Sequence, residues 1–297
     1  MPELPEVETI RRDLEVKLLG HRVLGAQVLW EREVGYPDAP TFAAEIAGRD
    51  ILALERRAKY LIVHLSEGAS LLVHLKMTGQ LLYVPRDVPP HQHARAVFAL
   101  DRDRELRFVD IRKFGRLYLV PTARLADFAK VAHLGPEPLA ASFTVAALRA
   151  LLANRRGRMK PLLMNQEFLA GLGNIYVDEA LFRAGLHPLR SAESLKPRDV
   201  ARLHEAIVAV LEEAIGHRGS SINNYRDPAG QKGYHHVHLR VFNRADEPCT
   251  RCGTPISKIR VGGRGTHFCP RCQRLPRRPA AERAPVADGP TPRKAVA

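Results

Sequence analysis

The stretch 249–272, CTRCGTPISKIRVGGRGTHFCPRC, holds all four cysteines of the chain as two Cys-x-x-Cys pairs with 16 residues between them. Each short loop can present two thiolates to one ion, and two such loops complete a tetrahedron. Cys249, Cys252, Cys269 and Cys272 therefore read as the ligands of one structural Zn²⁺ in a ribbon. Two disulfides would need an oxidising compartment, and the sequence shows no secretory signal that would take it to one. A ribbon this small cannot bury a core, so the metal substitutes for one. Inside it Arg260, Arg264 and His267 lie among Gly262, Gly263 and Gly265. That composition reads as a tight hairpin carrying cations, a shape suited to phosphate or to the minor groove.

The rest of the chain leans the same way. Lys and Arg outnumber Asp and Glu by 46 to 32, a formal charge of +14, which implies a polyanionic partner, most simply nucleic acid. An acidic membrane surface is the rival, but no basic amphipathic helix stands out and no stretch approaches 18 apolar residues. A length of 297 residues with 45% hydrophobic content supports two or three globular domains.

At the other end the chain begins MPELPEVET (1–9). Met before a small residue is the pair from which the initiator is usually trimmed, which would leave the secondary amine of Pro2 as the terminus. An α-amine titrates near ~8, against ~10.4 for a lysine, so far more of it is neutral and nucleophilic at neutral pH. Its adduct with an aldehyde-like carbon is an iminium that has no N–H proton to lose, a lasting electron sink for elimination. Glu3 and Glu6 flank it as acid/base groups. The same residues also suit ordinary capping of a helix start by proline and acids.

The coarse organisation has four parts. Val7, Ile10, Leu14 and Leu18 recur at helical spacing within 6–19. From 21 to 120 the pattern is of short strands, RVLGAQVLW (22–30), YLIVHL (60–65), SLLVHLKM (70–77), RAVFAL (95–100), ELRFVD (105–110) and RLYLV (116–120), as in a sandwich or barrel. From 121 to about 217 the reading is helical, clearest at 145–153 and 199–215; a Gly/Ser/Asn-rich loop (218–235) and a strand-like HLRVF (238–242) lead into the ribbon. After the ribbon the Pro/Ala-rich, mildly basic 275–297 is expected to be a disordered tail.

Three segments look like tools. GLGNIYVDEALF (171–182) sets a Gly-rich turn and Asn174 before a helix, which suits either a phosphate on the helix N-terminus or simple capping by Asn174. Met77 in HLKMTG (74–79) is either a wedge between bases at a turn tip or a core residue. Arg112, Lys113 and Phe114 in DIRKFGR (110–116) put cations around an aromatic, suited to insertion into a base stack or to a solvated strand end.

PELPEVETIRRDLE (2–15), RRAKYL (56–61), HLKMTG, DIRKFG, HLGPEPL (133–139), KPLLMNQ (160–166), GLGNIYVDEALFRAGLHP (171–188) and the two Cys-x-x-Cys pairs occur in this order. In this the chain resembles the bacterial formamidopyrimidine-DNA glycosylases, from residue 2 to about 274. The resemblance implies an α+β fold: an N-terminal β-sandwich with an N-terminal helix (1–121), a helical domain with a helix–two-turn–helix and a lesion-lid loop (122–235), and a zinc-ribbon hairpin (236–274). It implies a monomeric, cytoplasmic bacterial enzyme on double-stranded DNA. Such an enzyme removes oxidised purines, 8-oxoguanine and formamidopyrimidines, then cleaves the abasic strand by β,δ-elimination.

Carried onto this sequence, the resemblance makes Pro2 the nucleophile at C1′ and Glu3 the acid that assists base departure and ring opening, with Glu6 organising their pocket. Lys59 matches the proton donor of β-elimination and Arg264 that of δ-elimination. His74, His93, Arg155, Lys160, Asn174 and Tyr234 fall at DNA-contacting positions, and Lys59 and Arg264 would also hold phosphates. Met77, Arg112 and Phe114 would fill the gap left by the flipped base. Two departures stand out: Lys76 where glycine is frequent, and Ile111-Arg112-Lys113 where a Pro-Arg-Arg run is common. Two other functions remain open. One is the endonuclease VIII-like branch acting on oxidised pyrimidines, which Leu4-Pro5 and the Met77/Arg112/Phe114 trio disfavour; the other is a non-enzymatic zinc-ribbon DNA-binding protein, which leaves Pro2, Glu3, Glu6 and Lys59 as coincidence.

Overall fold

A computed structural model describes residues 1–221 and 225–275. Most of the expected tail (276–297) and three residues of the expected lid (222–224) lie outside them. Helix α1 (Leu4–Leu18) buries Val7, Ile10, Leu14 and Leu18, the residues whose spacing forecast it. It lies against a sandwich of two sheets. One sheet has the order β1 (Val23–Val28), β7 (Ala94–Leu100), β8 (Arg104–Asp110), β6 (Gly79–Pro85). The other runs β2 (Val34–Tyr36), β9 (Arg116–Pro121), β5 (Ala69–His74), β4 (Tyr60–Leu65), β3 (Ile51–Arg57). Side chains from α1, from both sheets and from a short helix α2 (Ala39–Ile46) share one apolar core.

The run YLIVHL is apolar at nearly every position because its sheet is covered on both faces. Leu61, Val63 and Leu65 point into the sandwich, while Tyr60 and Ile62 meet Val131, Leu125, Phe128 and Leu134 on the outer face. That cover corrects one expectation: between Pro121 and Thr144 the described chain is turns and a single 3-10 turn, and the first helix of the second lobe is α3 (Val145–Leu152). This segment lies over a sheet instead of in a bundle, so its apolar residues need no helical period. The sequence reading also passed over β2, β3, β6 and α2.

The second lobe packs α3, α4 (Met159–Met164), α5 (Asn174–Ala184) and α6 (Pro197–Gly216) around its own core. A turn of nine residues joins α4 to α5. The ribbon is the hairpin β10 (Ser257–Val261) and β11 (Arg264–Phe268), seated on α5 through Phe182. HLRVF is not a strand. The buried Glu179 carboxylate of α5 accepts the backbone N–H groups of Arg240, Val241 and Phe242 at 2.9, 2.9 and 2.8 Å, so a side chain does the work of a partner strand there. Among the described residues no helix is long and apolar enough to cross a membrane.

Candidate active site

The N-terminus is fixed from behind by Glu6. One Glu6 oxygen accepts the Glu3 N–H at 2.8 Å; the other accepts the Ser220 N–H at 2.7 Å and the Tyr176 hydroxyl at 2.5 Å. One carboxylate thus ties the first turn to α5 and to the base of the 219–234 loop. Glu3 faces the other way. Its Oε1 accepts the Ile175 N–H at 3.0 Å, and its Oε2 is buried without a partner. Burial raises the Glu3 carboxyl above its ordinary pKa, opposed by the Lys59 charge and reinforced by Glu6. Gly173 makes room for it, because a Cβ there would sit 2.5 Å from Glu3 Oε1.

This arrangement revises the reading of 171–182. Gly173 is the N-cap of α5 and Asn174 is its first residue. One free N–H of the helix start, that of Ile175, is given to the Glu3 carboxylate. Asn174 turns its amide outward instead: Nδ2 donates to the Gly265 carbonyl at 3.1 Å, and Oδ1 is left without a partner.

Lys59 sits in the two-residue connection between β3 and β4, after Ala58 at φ 53°. The connection is clamped by Glu137 of HLGPEPL, which accepts the Ala58 N–H at 2.5 Å and the guanidiniums of Arg56 and Arg57 at 2.6 and 2.9 Å. Motifs about eighty residues apart therefore meet to hold one lysine. Lys59 is buried; its ammonium pKa is pushed down by burial, with Glu3 and Glu6 pulling it back up. His74 packs edge-on to Tyr60 and accepts the Lys76 N–H at 3.0 Å. Burial and the Lys76 and Lys59 charges push His74 down to about 3, so it is a neutral imidazole.

Two turns project beside this cleft. The residues 75–78 carry Met77, 40% exposed, and 111–115 carry Phe114, 46% exposed. The Arg112 guanidinium lies 4.8 Å from the centre of the Phe114 ring. Buried Asp110 organises both turns: it accepts N–H bonds from Arg112, Phe114 and Gly115 at 3.1, 2.8 and 2.7 Å and a hydroxyl bond from Thr78. The two departures noted in the sequence sit in these turns at left-handed φ, Lys76 at 51° and Lys113 at 58°. A glycine takes that conformation freely, whereas a lysine takes it only with backbone strain.

In the ribbon the four sulfurs lie within 4.8 Å of one another, with Cys249–Cys272 at 3.9 Å and Cys252–Cys269 at 3.5 Å. Zn–S bonds of about 2.3 Å put tetrahedral sulfurs about 3.8 Å apart, so the cluster has the size of a single structural zinc site. Arg264 opens β11, after the turn glycines 262 and 263 at φ 56° and 74°, and is exposed toward the cleft. Lys160 is corrected by the structure. It is fully buried, donating to Asp178 at 2.7 Å and to the Gly265 carbonyl at 3.1 Å. It therefore anchors the hairpin and cannot touch DNA directly.

Pro2, Glu3, Lys59, His74, Met77, Phe114, Asn174 and Arg264 line one cleft of about 1020 Å³. His93, Arg112, Arg155 and Tyr234 lie outside its lining; Arg155 is exposed, its guanidinium 6.0 Å from the Phe168 ring. The Tyr234 ring lies tilted at 45° to His217, 5.2 Å between centres, at the closing end of the 219–234 loop. The sequence reading missed Tyr176, Ser220, Asp110, Glu137 and Asp178. Tyr176, Asp110, Glu137 and Asp178 lie inside quoted motifs, but only the long-range contacts give them tasks.

Residues 1–117 match the formamidopyrimidine-DNA glycosylase N-terminal domain, 134–226 its H2TH domain, and 246–275 the zinc finger found in FPG and IleRS. The formamidopyrimidine-DNA glycosylase of Pelotomaculum thermopropionicum is 46% identical over 275 residues, covering 93% of this chain and 100% of that protein. The one of Herpetosiphon aurantiacus is 49% identical over 274 residues, covering 92% and 100%. Among solved structures, Lactococcus lactis Fpg in complex with DNA containing an abasic site superposes with a TM-score of 0.86 at 36% identity, over 92% of this chain and 100% of that one. The same enzyme with Fapy-dG DNA gives the same values. With three successive domains matched and relatives nearly half identical along their whole length, this chain belongs to the formamidopyrimidine-DNA glycosylase family.

Proposed function

We propose that this protein is a base-excision DNA glycosylase that also cleaves the strand at the resulting abasic site, acting on duplex DNA with oxidised purines. The observation that supports it most is the convergence on one cleft of Pro2 and Glu3 from the N-terminus, Lys59 from the β3–β4 connection and Arg264 from the ribbon. Pro2 attacks C1′ of the flipped nucleotide as the base leaves. Glu3, whose raised pKa keeps a proton available, assists base departure and opening of the sugar ring. Burial lowers the Lys59 pKa below that of a free lysine, which makes it a readier proton donor during β-elimination. Arg264 stabilises the departing phosphate and serves the δ step. Met77, Arg112 and Phe114 fill the stack, while His93, Arg155, Asn174 and Tyr234 contact the backbone or the lid. Action as a monomer in the cytoplasm completes this reading, and thiolate zinc ligands suit a reducing compartment.

While Met1 is attached, the Pro2 nitrogen is an amide and cannot form the iminium. The mature chain is expected to start at Pro2. Borohydride should trap it on a duplex carrying 8-oxoguanine more efficiently than on one carrying an oxidised pyrimidine, and mass spectrometry should place the adduct on the N-terminal peptide. Quantitative retention of Met1 with full lyase activity would overturn the assignment of Pro2.

The ribbon supplies a separate check. Cys249→Ser should release the zinc and weaken DNA binding at least about tenfold while the sandwich stays folded, since thiolate ligation is the hairpin's main stabiliser. Zinc near zero in the active wild-type protein contradicts this.

A further inference from the structure

Glu33 ends the turn Glu31–Glu33 that precedes β2, and it has no task in the chemistry above. It is fully buried, and no N–H or O–H donor reaches its carboxyl oxygens; as an acid it can itself donate to the neighbouring Asp110 carboxylate. Its position is specific. It lies beneath 111–115, where a Cβ on Gly115 would fall 2.7 Å from Glu33 Oε1, and it faces Asp110. Asp110 in turn holds the backbone of that turn through three N–H bonds.

The charged groups around the pair come from three strands. Arg95 of β7 donates to the Asp110 carbonyl at 2.8 Å, Arg116 of β9 donates to the Gly115 carbonyl at 2.6 Å, and Asp110 itself ends β8. Above them, Lys113 Nζ lies 4.0 Å from the ring centre of Trp30, which starts the Glu33 turn. Burial first, then the Asp110 charge, push the Glu33 carboxyl up to about 8, against the pull of Arg116 and Arg95. A second anion here would be buried, unpaired and next to a carboxylate already committed to the loop.

We propose that Glu33 is a positioning residue whose neutral acid form steadies Asp110 as it holds the Arg112–Phe114 turn, so that its ionisation sets two carboxylates against each other, loosens the turn and weakens capture of flipped-out sites. The inference rests on the proposed function, in which that turn fills the stack. The sign follows from the raised pKa. The neutral form is complete below the ordinary carboxylate range and is lost as pH rises through about 8.

The test is affinity for a duplex carrying a stable abasic-site analogue between pH 6.5 and 9.5, for wild type and Glu33→Gln. The amide is a permanently neutral isostere. Wild type should lose about tenfold by pH 9, where roughly a tenth of the Glu33 groups stay neutral. Glu33→Gln should hold its affinity. Parallel profiles for the two proteins overturn the proposal. Should Glu33→Gln not fold, Trp30 decides, because it is the only tryptophan and lies on the Glu33 turn. Its emission in wild type should titrate with a midpoint near 8, and a flat response overturns the proposal. Binding and borohydride trapping at pH 6.5 test the glycosylase/lyase assignment itself, so the two can fail separately.

Discussion

Glu3→Gln is expected to slow excision of an intact damaged base by about a thousandfold, within the range for losing a positioned general acid, while cleavage of a preformed abasic site stays partly active. The geometry gives the reason for the split. Glu3 Oε1 is bonded to the Ile175 N–H and Oε2 has no partner, so one oxygen orients the group and the other is available to a substrate. An intact nucleoside needs a proton delivered as the C1′–N bond breaks. An abasic site already presents an aldehyde in its open form, and Pro2 can attack it without leaving-group assistance. The amide of Gln can still accept from Ile175, so the first turn should keep its place. Single-turnover assays on an 8-oxoguanine duplex and an abasic duplex, run side by side, measure the split. Equal loss on both would assign Glu3 to the shared elimination steps or to the fold. The pH profile carries a second signature: excision by wild type should decline as pH rises through the raised Glu3 pKa, since the acid form is lost there.

Much of this site was legible before any coordinates. The four cysteines announce a metal ribbon because Cys-x-x-Cys is a local geometry, complete within four residues. The helix after Pro2 and most long strands follow from periodicity, which is also local. What could not be read is set by contacts across the chain. Lys160 is a basic residue in a chain of high positive charge, so a DNA contact was the natural reading; only the meeting of α4, α5 and β11 reveals it as the buried partner of Asp178. HLRVF has the alternation of a strand and fails to form one because a glutamate sixty residues earlier takes its N–H groups. Glu33 left no sequence signal, since its character comes from Gly115 and Asp110 lying against it. Local spacing marks a motif; a task created by long-range burial leaves no such mark.

Arg264→Ala should slow processing of an abasic site by about a hundredfold under saturating, single-turnover conditions, and should leave β-elimination product standing relative to the β,δ product. If the ribbon supplied only charge, the loss would appear on all DNA alike, the salt dependence of binding would flatten by about one unit, and excess enzyme would restore the rate. The structure argues for more. The residue after Arg264 is held from two sides, its carbonyl accepting Lys160 Nζ and Asn174 Nδ2 at 3.1 Å each. Two residues further on, the His267 N–H is given to Asp178 at 2.9 Å. Asp178 and Lys160 are themselves a fully buried pair at 2.7 Å. The hairpin tip is therefore fixed to α4 and to α5, whose Ile175 N–H also holds Glu3. A guanidinium carried on a fixed backbone at the cleft wall needs only side-chain adjustment when a leaving phosphate develops charge, which is where such a donor gives about two to three orders of magnitude. The control is Arg260→Ala, one strand away in β10 and absent from the cleft lining. It should weaken binding modestly and leave the saturated rate and product ratio at wild-type values. Full recovery of Arg264→Ala at high enzyme concentration, matching Arg260→Ala, would reduce Arg264 to a phosphate anchor and take the ribbon out of the chemistry.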